Sequence, residues 1–430
     1  MKTIIMAGGR GTRIAELFPD IPKPMIPVEG MPILEREIRS LASQGFTDLI
    51  LTVGYLADKI MAYFGDGSQL GVTIDYFVEE TPLGNAGALF QLRDKIGNEP
   101  FFLLNADAAF DVDFNRMLVF HKKHGGLVTL FSHPNSHPYD SGLIIADKDG
   151  YVEKWLSKED ERPQWYNNRV NAGLHIIDPS VLELSLKNLD VDSKTGFPMG
   201  KVDLDRQILK PLCGTGKMFC YDSPEYVKDM GTPERFHQVE ADYKNGVVQA
   251  RNLKNKQKAI FLDRDGTINK YVGFLRNIDD FELIVGVTEA IKRINQSSYL
   301  TIVVTNQPVI ARGEVSWEEL NEIHKKMETL LGKDGAYIDG IYICPHHPDK
   351  GFEGERPEYK FDCDCRKPKP GLLLKAAKDF NIDLSQSIMI GDSERDVEAG
   401  RNAGCLKSIK IETDNGLALK NVVNILTLIE

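Results

Sequence analysis

A chain of 430 residues, 42% hydrophobic and 27% charged, is too long for one ordinary core and predicts a soluble globular protein of two or three domains. The net charge of −11, from 52 basic and 63 acidic residues, argues against a general nucleic-acid binder, although a local basic pocket for phosphates remains compatible with it. We see neither a secretory signal nor an apolar run as long as a membrane span, so we expect a cytoplasmic protein without a membrane partner.

The chain begins an α/β pattern twice. KTIIMAGGRGTR is a short apolar run that ends in a glycine-rich loop, and KAIFLDRDGTIN, from Lys258, is a second one that ends in an acidic loop. Each is typical of the first buried strand of a parallel sheet with a phosphate-handling loop at its carboxyl end. A polar, basic stretch lies between them, so we predict domains at 1–240 and 258–430 joined by a linker at 241–257.

Further elements follow in chain order. Apolar runs at 49–53 and 101–104 predict strands, and PILEREIRSLASQG predicts a helix that ends at Gly45. In the second half TIVVTN, GIYIC and SIMIGD predict strands, while SWEELNEIHKKMETLLG and GLLLKAAKDFNI predict helices. Both halves therefore read as α/β, each a mostly parallel sheet flanked by helices.

The loop AGGRGTR, residues 7–13, suits phosphate binding. It is not a Walker loop, because no Gly-Lys-Ser/Thr follows, and it matches the dinucleotide pattern only in part, because Ile14 stands at the third glycine position. Its glycines let backbone N–H groups approach phosphate oxygens, and Arg10 and Arg13 add charge-assisted contacts. A glycine turn with solvated arginines is the alternative.

A set of motifs over about the first 240 residues resembles the sugar-1-phosphate nucleotidyltransferases: MAGGRGTRI…PKPMIPVEGMPILE, EETPLGNAGAL, LNADAAF, VNAGLHI and KDMGTPERF. The resemblance implies a Rossmann-like domain in which Arg13 and Lys23 stabilise the pyrophosphate and the charge that develops during attack. Asp107 and Asp229 match the two aspartates that hold Mg²⁺ in the family. The expected nucleotide contacts are Ala7, Gly8, Gly9, Gly11, Thr12, Glu80 and Gly84.

The chemistry of that family needs these residue types. A sugar phosphate oxygen attacks the α-phosphorus of a nucleoside triphosphate, and pyrophosphate leaves in line. Because all reacting groups are anionic, a metal ion and fixed cations must offset their repulsion, and aspartates supply the hard oxygen ligands that Mg²⁺ prefers. For a lone aspartate, a helix cap or a turn is the alternative role.

The sugar side departs from the family pattern. Where the family carries Phe-x-Glu-Lys-Pro, this chain has Trp155, Ser157 and Lys158, and the lost carboxylate suggests an unusual sugar. The family often has Asn-Gly-Asp where this chain has Asn-Ala-Asp, which is a mild change. The expected sugar contacts are Gly142, Lys158, Asn171 and Gly173.

The base is predicted from the chemistry of guanine, whose two N–H donors favour a carboxylate acceptor. Glu79 and Glu80 precede TPLGNAG, in a segment that looks like those of guanylyltransferases. We assign the contact to Glu80 and expect GTP, with a surface glutamate pair as the alternative.

The second half carries FLDRDGTI, VVTNQ, Lys367 and MIGDSERD in order, a set that resembles the haloacid dehalogenase superfamily. A carboxylate attacks phosphorus without first losing a proton, so Asp263 is the expected nucleophile, and Asp265 protonates the leaving oxygen and later activates water. A bare metal site or a structural acidic cluster is the alternative. The resemblance implies Mg²⁺ ligands Asp263, Asp265 and Asp392, and phosphoryl contacts Thr305, Asn306, Arg366 and Lys367.

Cysteines in a reducing compartment more often bind metal than form disulfides. Cys344-x-His346 and Cys363-x-Cys365 supply three thiolates and one imidazole, which suits a tetrahedral, structural Zn²⁺ with no open position. The stretch resembles the zinc loop of bacterial heptose 1,7-bisphosphate 7-phosphatases and their histidinol-phosphatase relatives. Such a clamp would fix Arg366 beside the phosphate.

The two halves share a logical intermediate. A heptose bisphosphate phosphatase releases heptose 1-phosphate, which a nucleotidyltransferase couples to a nucleotide, so we predict one bifunctional enzyme with GTP and heptose phosphates as substrates. A histidinol-type phosphatase fused to an unrelated transferase is one alternative, and a non-catalytic sugar-nucleotide sensor domain is another. The oligomeric state and the sugar anomer stay open.

Overall fold

The computed structural model describes residues 1–427 except 10, 12, 15 and 352, and it leaves out the side chains of 426 and 427. The predicted nucleotide contact Thr12 and the loop residue Arg10 therefore lie outside the described residues. The chain forms two compact units, Met1–Ser132 with Ile144–Leu156 and Asn171–Gln249, and His133–Leu143 with Ser157–Val170 and Ala250–Glu430. Two short segments from the first 240 residues therefore belong to the second unit, so no single cut of the chain separates the two units. The boundary at 241–257 stays a prediction.

The first 250 residues alternate strands and helices. The strands are β1 (Thr3–Met6), β2 (Pro27–Val28), β3 (Met31–Pro32), β4 (Asp48–Val53), β5 (Thr73–Val78), β6 (Phe101–Asn105), β7 (Ala108–Asp111), β8 (Val128–His133), β9 (Leu143–Ala146), β10 (Val152–Leu156), β11 (Val170–Ile177), β12 (Met218–Asp222) and β13 (Tyr226–Asp229). The helices are α1 (Ile33–Ser43), α2 (Ala57–Phe64), α3 (Gly87–Gln91), α4 (Arg93–Ile96), α5 (Phe114–His124), α6 (Ser180–Leu186), α7 (Pro233–Lys244) and α8 (Val247–Ala250).

The main sheet runs in the order β10-β9-β11-β6-β1-β4-β5, and β8 and β12 extend it from β11. Its centre is parallel, since β1 pairs in parallel with β4 and β6 and β4 pairs in parallel with β5. β11 is antiparallel to β6, so the sheet is mixed, which the apolar runs alone did not indicate. Ile4 and Ile5 of β1 enter different apolar clusters, as expected for a strand buried on both faces.

The second unit is built on a smaller sheet. Its strands are β14 (Lys258–Leu262), β15 (Tyr299–Asn306), β16 (Gly340–Cys344), β17 (Ile388–Gly391) and β18 (Lys407–Lys410), and its helices are α9 (Val287–Asn295), α10 (Trp317–Lys333), α11 (Gly371–Asp379), α12 (Glu394–Ala403) and α13 (Gly416–Thr427). The order is β16-β15-β14-β17-β18, and every pairing is parallel. The carboxyl ends of β14, β15 and β17 therefore meet at one edge.

Helix α10 shows how local sequence sets these elements. Ser316 and Glu319 form a reciprocal capping box at its start, with Glu319 N–H donating to Ser316 Oγ at 3.0 Å. Its buried apolar residues recur at helical spacing; Ile323, Met327 and Leu331 pack into the core beside β14, and Leu320 packs into a smaller cluster with Val309 and Ile310.

The segment Ser157–Val170 packs on the same helix within the second unit. Tyr166 N–H donates to Thr329 Oγ1 at 2.9 Å, and the Thr329 hydroxyl donates to the Tyr166 carbonyl at 3.1 Å. The buried Glu328 carboxylate accepts from Asn167 Nδ2 at 2.8 Å and from Arg169 Nη1 at 3.0 Å. These bonds explain why the segment clusters with the second unit. Among the helices of the described residues, none is long and apolar enough to cross a membrane.

Candidate functional sites

The glycine loop after β1 forms the first candidate site. Ala7 N–H donates to the Thr52 carbonyl at 2.8 Å, which fixes the loop at the carboxyl end of the sheet. Gly11 has φ +58°, and a Cβ there would lie 2.9 Å from Lys23 Cβ, so only glycine lets the loop approach Lys23 this closely. A Cβ on Gly9 would meet nothing within 4 Å, which leaves that part of the loop open.

Four predicted residues come together beside this loop. Lys23 Nζ lies 3.0 Å from Asp107 Oδ2 and 3.4 Å from Asp229 Oδ1, so the two aspartates converge on one ammonium group. Arg13 lies close to Asp229, because both side chains adjoin Gly231. Its Nη2 is 3.1 Å from the position that a Cβ on Gly231 would take. Two carboxylates that share one cation offer the hard oxygen ligands that suit Mg²⁺ beside substrate phosphates.

Sequence reasoning missed Arg235, which forms an ion pair with Asp229. It lies in the first turn of α7, which Thr232 caps, six residues after Asp229 in the quoted motif KDMGTPERF. Burial alone would raise the pKa of Asp229, but the charges of the neighbouring Lys23 and Arg235 hold this pKa below its ordinary value. Asp229 is therefore ionised at neutral pH.

The predicted nucleotide contacts are placed differently from one another. Gly84 has φ +83°, and a Cβ there would lie 2.3 Å from the Val202 carbonyl oxygen, so its glycine is required by packing. Glu80 is exposed, whereas Glu79 is partly buried, with Oε1 3.7 Å from a Cβ built on Gly8. Burial raises the pKa of Glu79. Glu79 is thus the carboxylate that faces the glycine loop, and the role of Glu80 stays a prediction.

The predicted sugar contacts divide between the two units. Asn171 Oδ1 accepts from Gly173 N–H at 3.3 Å and lies 3.2 Å from His175 Nε2. Gly173 has φ +75° and lies against the side chain of Asn105, so these residues form one wall near the end of β6. Gly142 and Lys158 lie in segments grouped with the second unit, and their roles stay predictions.

The second candidate site lies at the carboxyl edge of the smaller sheet. Lys367 Nζ lies 2.7 Å from Asp263 Oδ1 and 2.6 Å from Asp396 Oδ1, and it also donates to the Val304 carbonyl at 2.8 Å. Burial raises the pKa of Asp263 despite the attraction of Lys367. The ammonium group therefore counters two buried carboxylates at once.

Three carboxylates in this site can share a cation. Oxygens of Asp263, Asp392 and Asp396 lie within 4.8 Å of one another, a donor set that fits Mg²⁺. Gly266, with φ +79°, leaves the space, because a Cβ there would lie 2.3 Å from Asp392 Oδ2. Asp396 carried no role in the sequence analysis, although it stands four residues after Asp392 in the quoted motif.

Asp265 is held apart from that group by hydrogen bonds. Its carboxylate accepts from Arg264 Nη2 at 2.8 Å, from Asn269 Nδ2 at 3.0 Å and from Gln307 Nε2 at 2.8 Å. Its carboxylate is not in the three-carboxylate group, so its contribution to a metal site stays a prediction. Sequence reasoning missed Arg264, Asn269 and Gln307, although the quoted stretches KAIFLDRDGTIN and VVTNQ contain all three.

The predicted phosphoryl contacts line one cavity of about 520 Å³ with Asp263 and Asp265. Thr305 Oγ1 accepts from Gln307 Nε2 at 2.8 Å, which connects it to Asp265. The Asn306 amide bonds the backbone N–H and carbonyl of Lys367, both at 3.0 Å, and so holds that residue in place. All four predicted contacts line this cavity; they are Thr305, Asn306, Arg366 and Lys367.

The four predicted zinc ligands converge. Cys365 Sγ lies 3.3 Å from Cys344 Sγ, 3.2 Å from Cys363 Sγ and 3.3 Å from His346 Nδ1, and all four ligand atoms lie within 4.8 Å of one another. A tetrahedral ion with Zn–S bonds of about 2.3 Å needs sulfurs about 3.8 Å apart, so the cluster requires only a small expansion. The hydrogen bond between Cys365 and Cys344 above all lowers the pKa of Cys365 to about 5. The chemistry and spacing of this donor set fit zinc.

The clamp adjoins the phosphoryl cavity. Arg366 follows Cys365 directly, and its Nη1 donates to the His346 carbonyl at 3.1 Å. The carbonyl of a predicted zinc ligand thus orients a predicted phosphate contact. His347 lies outside the ligand group and lines the cavity instead.

The fold and the two sites define an enzyme of phosphorus chemistry, with anion-binding loops at the carboxyl ends of two α/β sheets. A family model described as nucleotidyl transferase matches residues 2–246, and one described as HAD-hydrolase-like matches residues 364–417. A D-glycero-beta-D-manno-heptose-1,7-bisphosphate 7-phosphatase of Haemophilus ducreyi is 44% identical over 162 residues, 37% of this chain and 86% of that protein.

Two further relatives were found. A mannose-1-phosphate guanylyltransferase of Mycobacterium tuberculosis is 30% identical over 254 residues, 58% of this chain and 67% of that protein. The crystal structure of a D,D-heptose 1.7-bisphosphate phosphatase from B. bronchiseptica matches 40% of this chain and 100% of that chain at 32% identity, with a TM-score of 0.36. The chain belongs to the nucleotidyl transferase family and, through its second half, to the family of heptose bisphosphate 7-phosphatases. It is a bifunctional enzyme with a nucleotidyltransferase part and a phosphatase part.

Proposed function

We propose that the chain carries out two successive steps of nucleotide-sugar synthesis. The second half removes the C7 phosphate of heptose 1,7-bisphosphate, and the first half couples the resulting heptose 1-phosphate to GMP from GTP with release of pyrophosphate. The observation that carries the proposal is the 44% identity to a heptose bisphosphate phosphatase, in a chain whose other half belongs to the nucleotidyl transferases. Heptose 1-phosphate, the product of the phosphatase step, belongs to the class of sugar phosphates that a nucleotidyltransferase uses.

The phosphatase step uses residues that meet at one edge of the sheet. A carboxylate oxygen of Asp263 attacks phosphorus and forms an aspartyl-phosphate, while Asp265 gives a proton to the leaving sugar oxygen. Asp265 then takes a proton from the water that attacks this intermediate, and phosphate leaves. Lys367, held by Val304 and Asn306, offsets the negative charge that gathers on the phosphoryl group.

The transferase step is driven by positioning and charge. Arg13 and Lys23 lie beside the glycine loop, where they can bind the triphosphate oxygens and stabilise the leaving pyrophosphate. In the absence of substrate, Lys23 is paired with Asp107 and Asp229, so it must give up part of this pairing when it binds phosphate. Arg235 keeps Asp229 ionised and oriented throughout.

Metal ions complete both sites in this proposal. Asp107 and Asp229 would hold Mg²⁺ in the first site, and Asp263 and Asp392, with Asp396 close by, would hold it in the second. Bound there, Mg²⁺ would supply charge neutralisation to the phosphates. Cys344, His346, Cys363 and Cys365 would hold a structural Zn²⁺. A reducing, cytoplasmic compartment is part of the proposal, because thiolates that bind metal persist there.

Guanine is the proposed base on two grounds. The relative from Mycobacterium tuberculosis is named a guanylyltransferase, and Glu79 faces the glycine loop with Glu80 beside it in sequence. An ionised carboxylate accepts both N–H donors of guanine, and adenine does not present that pair. The same contact would reject uracil, because uracil carries a single N–H donor at the corresponding edge.

The test supplies the full chain with heptose 1,7-bisphosphate, in each anomeric form, Mg²⁺ and one NTP at a time. Phosphate, pyrophosphate and nucleotide-sugar are measured together. We expect all three products with GTP, and phosphate alone when no nucleotide is added. Histidinol phosphate in a parallel reaction tests the alternative phosphatase, and preference for it would contradict the heptose assignment.

A sensor role for the first half makes a different prediction. A sensor would bind GTP or a nucleotide-sugar without releasing pyrophosphate, even when heptose 1-phosphate is supplied. The convergence of Lys23, Asp107 and Asp229 favours catalysis, because a site that only binds nucleotide has no need to gather both carboxylates. Pyrophosphate release that depends on heptose 1-phosphate would exclude the sensor.

A further inference from the structure

Arg264 has the largest fully buried side chain in the described part of the molecule. In sequence it lies between the predicted nucleophile and the predicted general acid. A guanidinium group is always charged and only donates hydrogen bonds, so complete burial requires acceptors on several sides. Arg264 finds two. Its Nε and Nη2 face the Asp265 carboxylate at 3.1 and 2.8 Å, and its Nη1 faces His324 Nε2 at 3.1 Å.

The bond to Asp265 is a fork. Nη2 also lies 2.9 Å from the second carboxylate oxygen of Asp265, so the guanidinium plane fixes the carboxylate plane as well as its position. Asn269 and Gln307 add single hydrogen bonds to the same group. Arg264 is the charged member of this set, and it alone contacts both oxygens.

The partner on the other side comes from helix α10. Because Nη1 donates, His324 Nε2 must accept, which requires a neutral imidazole with its proton on Nδ1. Burial, and then the charge of Arg264, lower the pKa of His324 to about 3, so the ring is neutral at any pH near 7. The residue of α10 that contacts Nη1 is thus neutral and not acidic. His324 therefore orients Arg264 and leaves its positive charge to Asp265.

We infer that His324 and Arg264 are positioning residues for the phosphatase step: His324 fixes the guanidinium group, and the guanidinium group aims the Asp265 carboxyl at the leaving oxygen of the bound phosphate ester. The inference rests on the proposed function of the second half. In the step concerned, the bond from phosphorus to the sugar oxygen breaks as the bond from Asp263 to phosphorus forms. Asp265, a carboxylate that only accepts hydrogen bonds before substrate binds, takes up a proton with the incoming anionic ester and passes it to the leaving oxygen.

This role predicts a dependence on the leaving group. A sugar alkoxide leaves only when it receives a proton, whereas p-nitrophenolate leaves without one. A change that misplaces Asp265 therefore slows formation of the aspartyl-phosphate from a sugar phosphate and spares its formation from p-nitrophenyl phosphate, while hydrolysis of that intermediate is common to both esters. A change that simply disturbs the cavity slows both.

The test compares kcat/KM for the two esters in the full chain, because kcat/KM covers the steps up to the aspartyl-phosphate and leaves out its hydrolysis, in which Asp265 acts for both esters. Since general acid catalysis contributes about 10²- to 10⁴-fold, we expect His324→Phe to lower kcat/KM on the sugar bisphosphate at least about tenfold and to change kcat/KM on p-nitrophenyl phosphate less than about threefold. His324→Gln keeps an acceptor near the position of Nε2 and should restore most of the loss, whereas His324→Asn is too short and should not. Met327→Leu, also buried on α10, controls for repacking of the helix.

The outcomes separate the inference from the function on which it rests. Equal losses on both esters, no loss on either, or equal activity of the Gln and Asn variants would overturn the positioning role. If His324→Phe does not fold, the comparison of the Gln and Asn variants decides the question. The proposed function fails separately: it fails if the unmodified protein releases no phosphate from the sugar bisphosphate, or if the Asp263→Asn protein hydrolyses that substrate just as fast.

Discussion

Removal of one ligand from the cysteine cluster tests the zinc clamp and its link to the phosphatase site. Cys365 is the best position, because its sulfur lies within 3.3 Å of the other three ligand atoms and its pKa is lowered to about 5. In Cys365→Ser a hydroxyl replaces the thiolate, with little change in volume. Cys405→Ser is the matched control, since Cys405 is also partly buried and lies outside the cluster.

The expected size of the effect follows from the number of ligands. Structural zinc sites contribute about 10–16 kcal/mol of binding free energy, so one ligand of four contributes about 2.5–4 kcal/mol. That difference corresponds to roughly a 100- to 1,000-fold weaker zinc affinity. Because Arg366 follows Cys365 and donates to the His346 carbonyl, we also expect lower kcat for phosphate release and no change in pyrophosphate release.

The assay combines elemental analysis with competition against a chelator of known affinity. The unmodified protein and Cys405→Ser should each retain about one zinc per chain, because four protein ligands close a tetrahedral site. Cys365→Ser should lose its zinc at chelator concentrations that leave the other two loaded. Absence of zinc from unmodified protein purified without chelator, or equal zinc retention by both variants, would refute the reasoning.

Three further changes test other parts of the account. Asp107→Ala removes one of the two carboxylates on Lys23 and should abolish pyrophosphate release while phosphate release continues, so loss of both activities in folded protein would contradict two separate sites. An unpaired buried carboxylate costs about 1–3 kcal/mol, so GTP should be preferred over UTP, dTTP and ATP by about tenfold to a hundredfold. Comparison of this preference in Glu79→Gln and Glu80→Gln will show which carboxylate binds the base. If the unmodified enzyme turns over UTP or ATP as well as GTP, neither carboxylate selects guanine. Glu328→Ala removes the ion pair between Glu328 and Arg169 and should lower the free energy of unfolding by about 3–5 kcal/mol, seen as a lower Tm in calorimetry; an unchanged Tm would mean that this pair does not hold the segment on α10.

Much of the second unit could be predicted from the sequence, because its signals are local. The apolar runs predicted β14, β15, β16 and β17, although not β18, and the Ser316 and Glu319 pair marks the start of α10. The cysteine and histidine spacing named four ligands whose atoms do converge. Each of these signals depends on residues that are close in the chain or that share one chemical preference.

The rest depends on contacts between residues far apart in the chain. Lys367 pairs with Asp396, and Arg264 pairs with His324 across 60 positions, and no periodicity indicates either contact. The antiparallel placement of β11 and the grouping of Ser157–Val170 with the second unit depend likewise on long-range packing. The difference in burial between Glu79 and Glu80 likewise depends on the folded chain, because two adjacent identical residues do not reveal it in sequence.

The central claim is that one chain performs dephosphorylation and then nucleotidyl transfer on the same sugar. Asp263→Asn, given heptose 1,7-bisphosphate, GTP and Mg²⁺, tests it most directly, with phosphorus NMR following every product. The account predicts neither phosphate nor nucleotide-sugar from the bisphosphate, and nucleotide-sugar at the unmodified rate once heptose 1-phosphate is added, because only the phosphatase nucleophile is lost. Nucleotide-sugar formed from the bisphosphate at the unmodified rate, or none formed from heptose 1-phosphate by the unmodified protein, would contradict it.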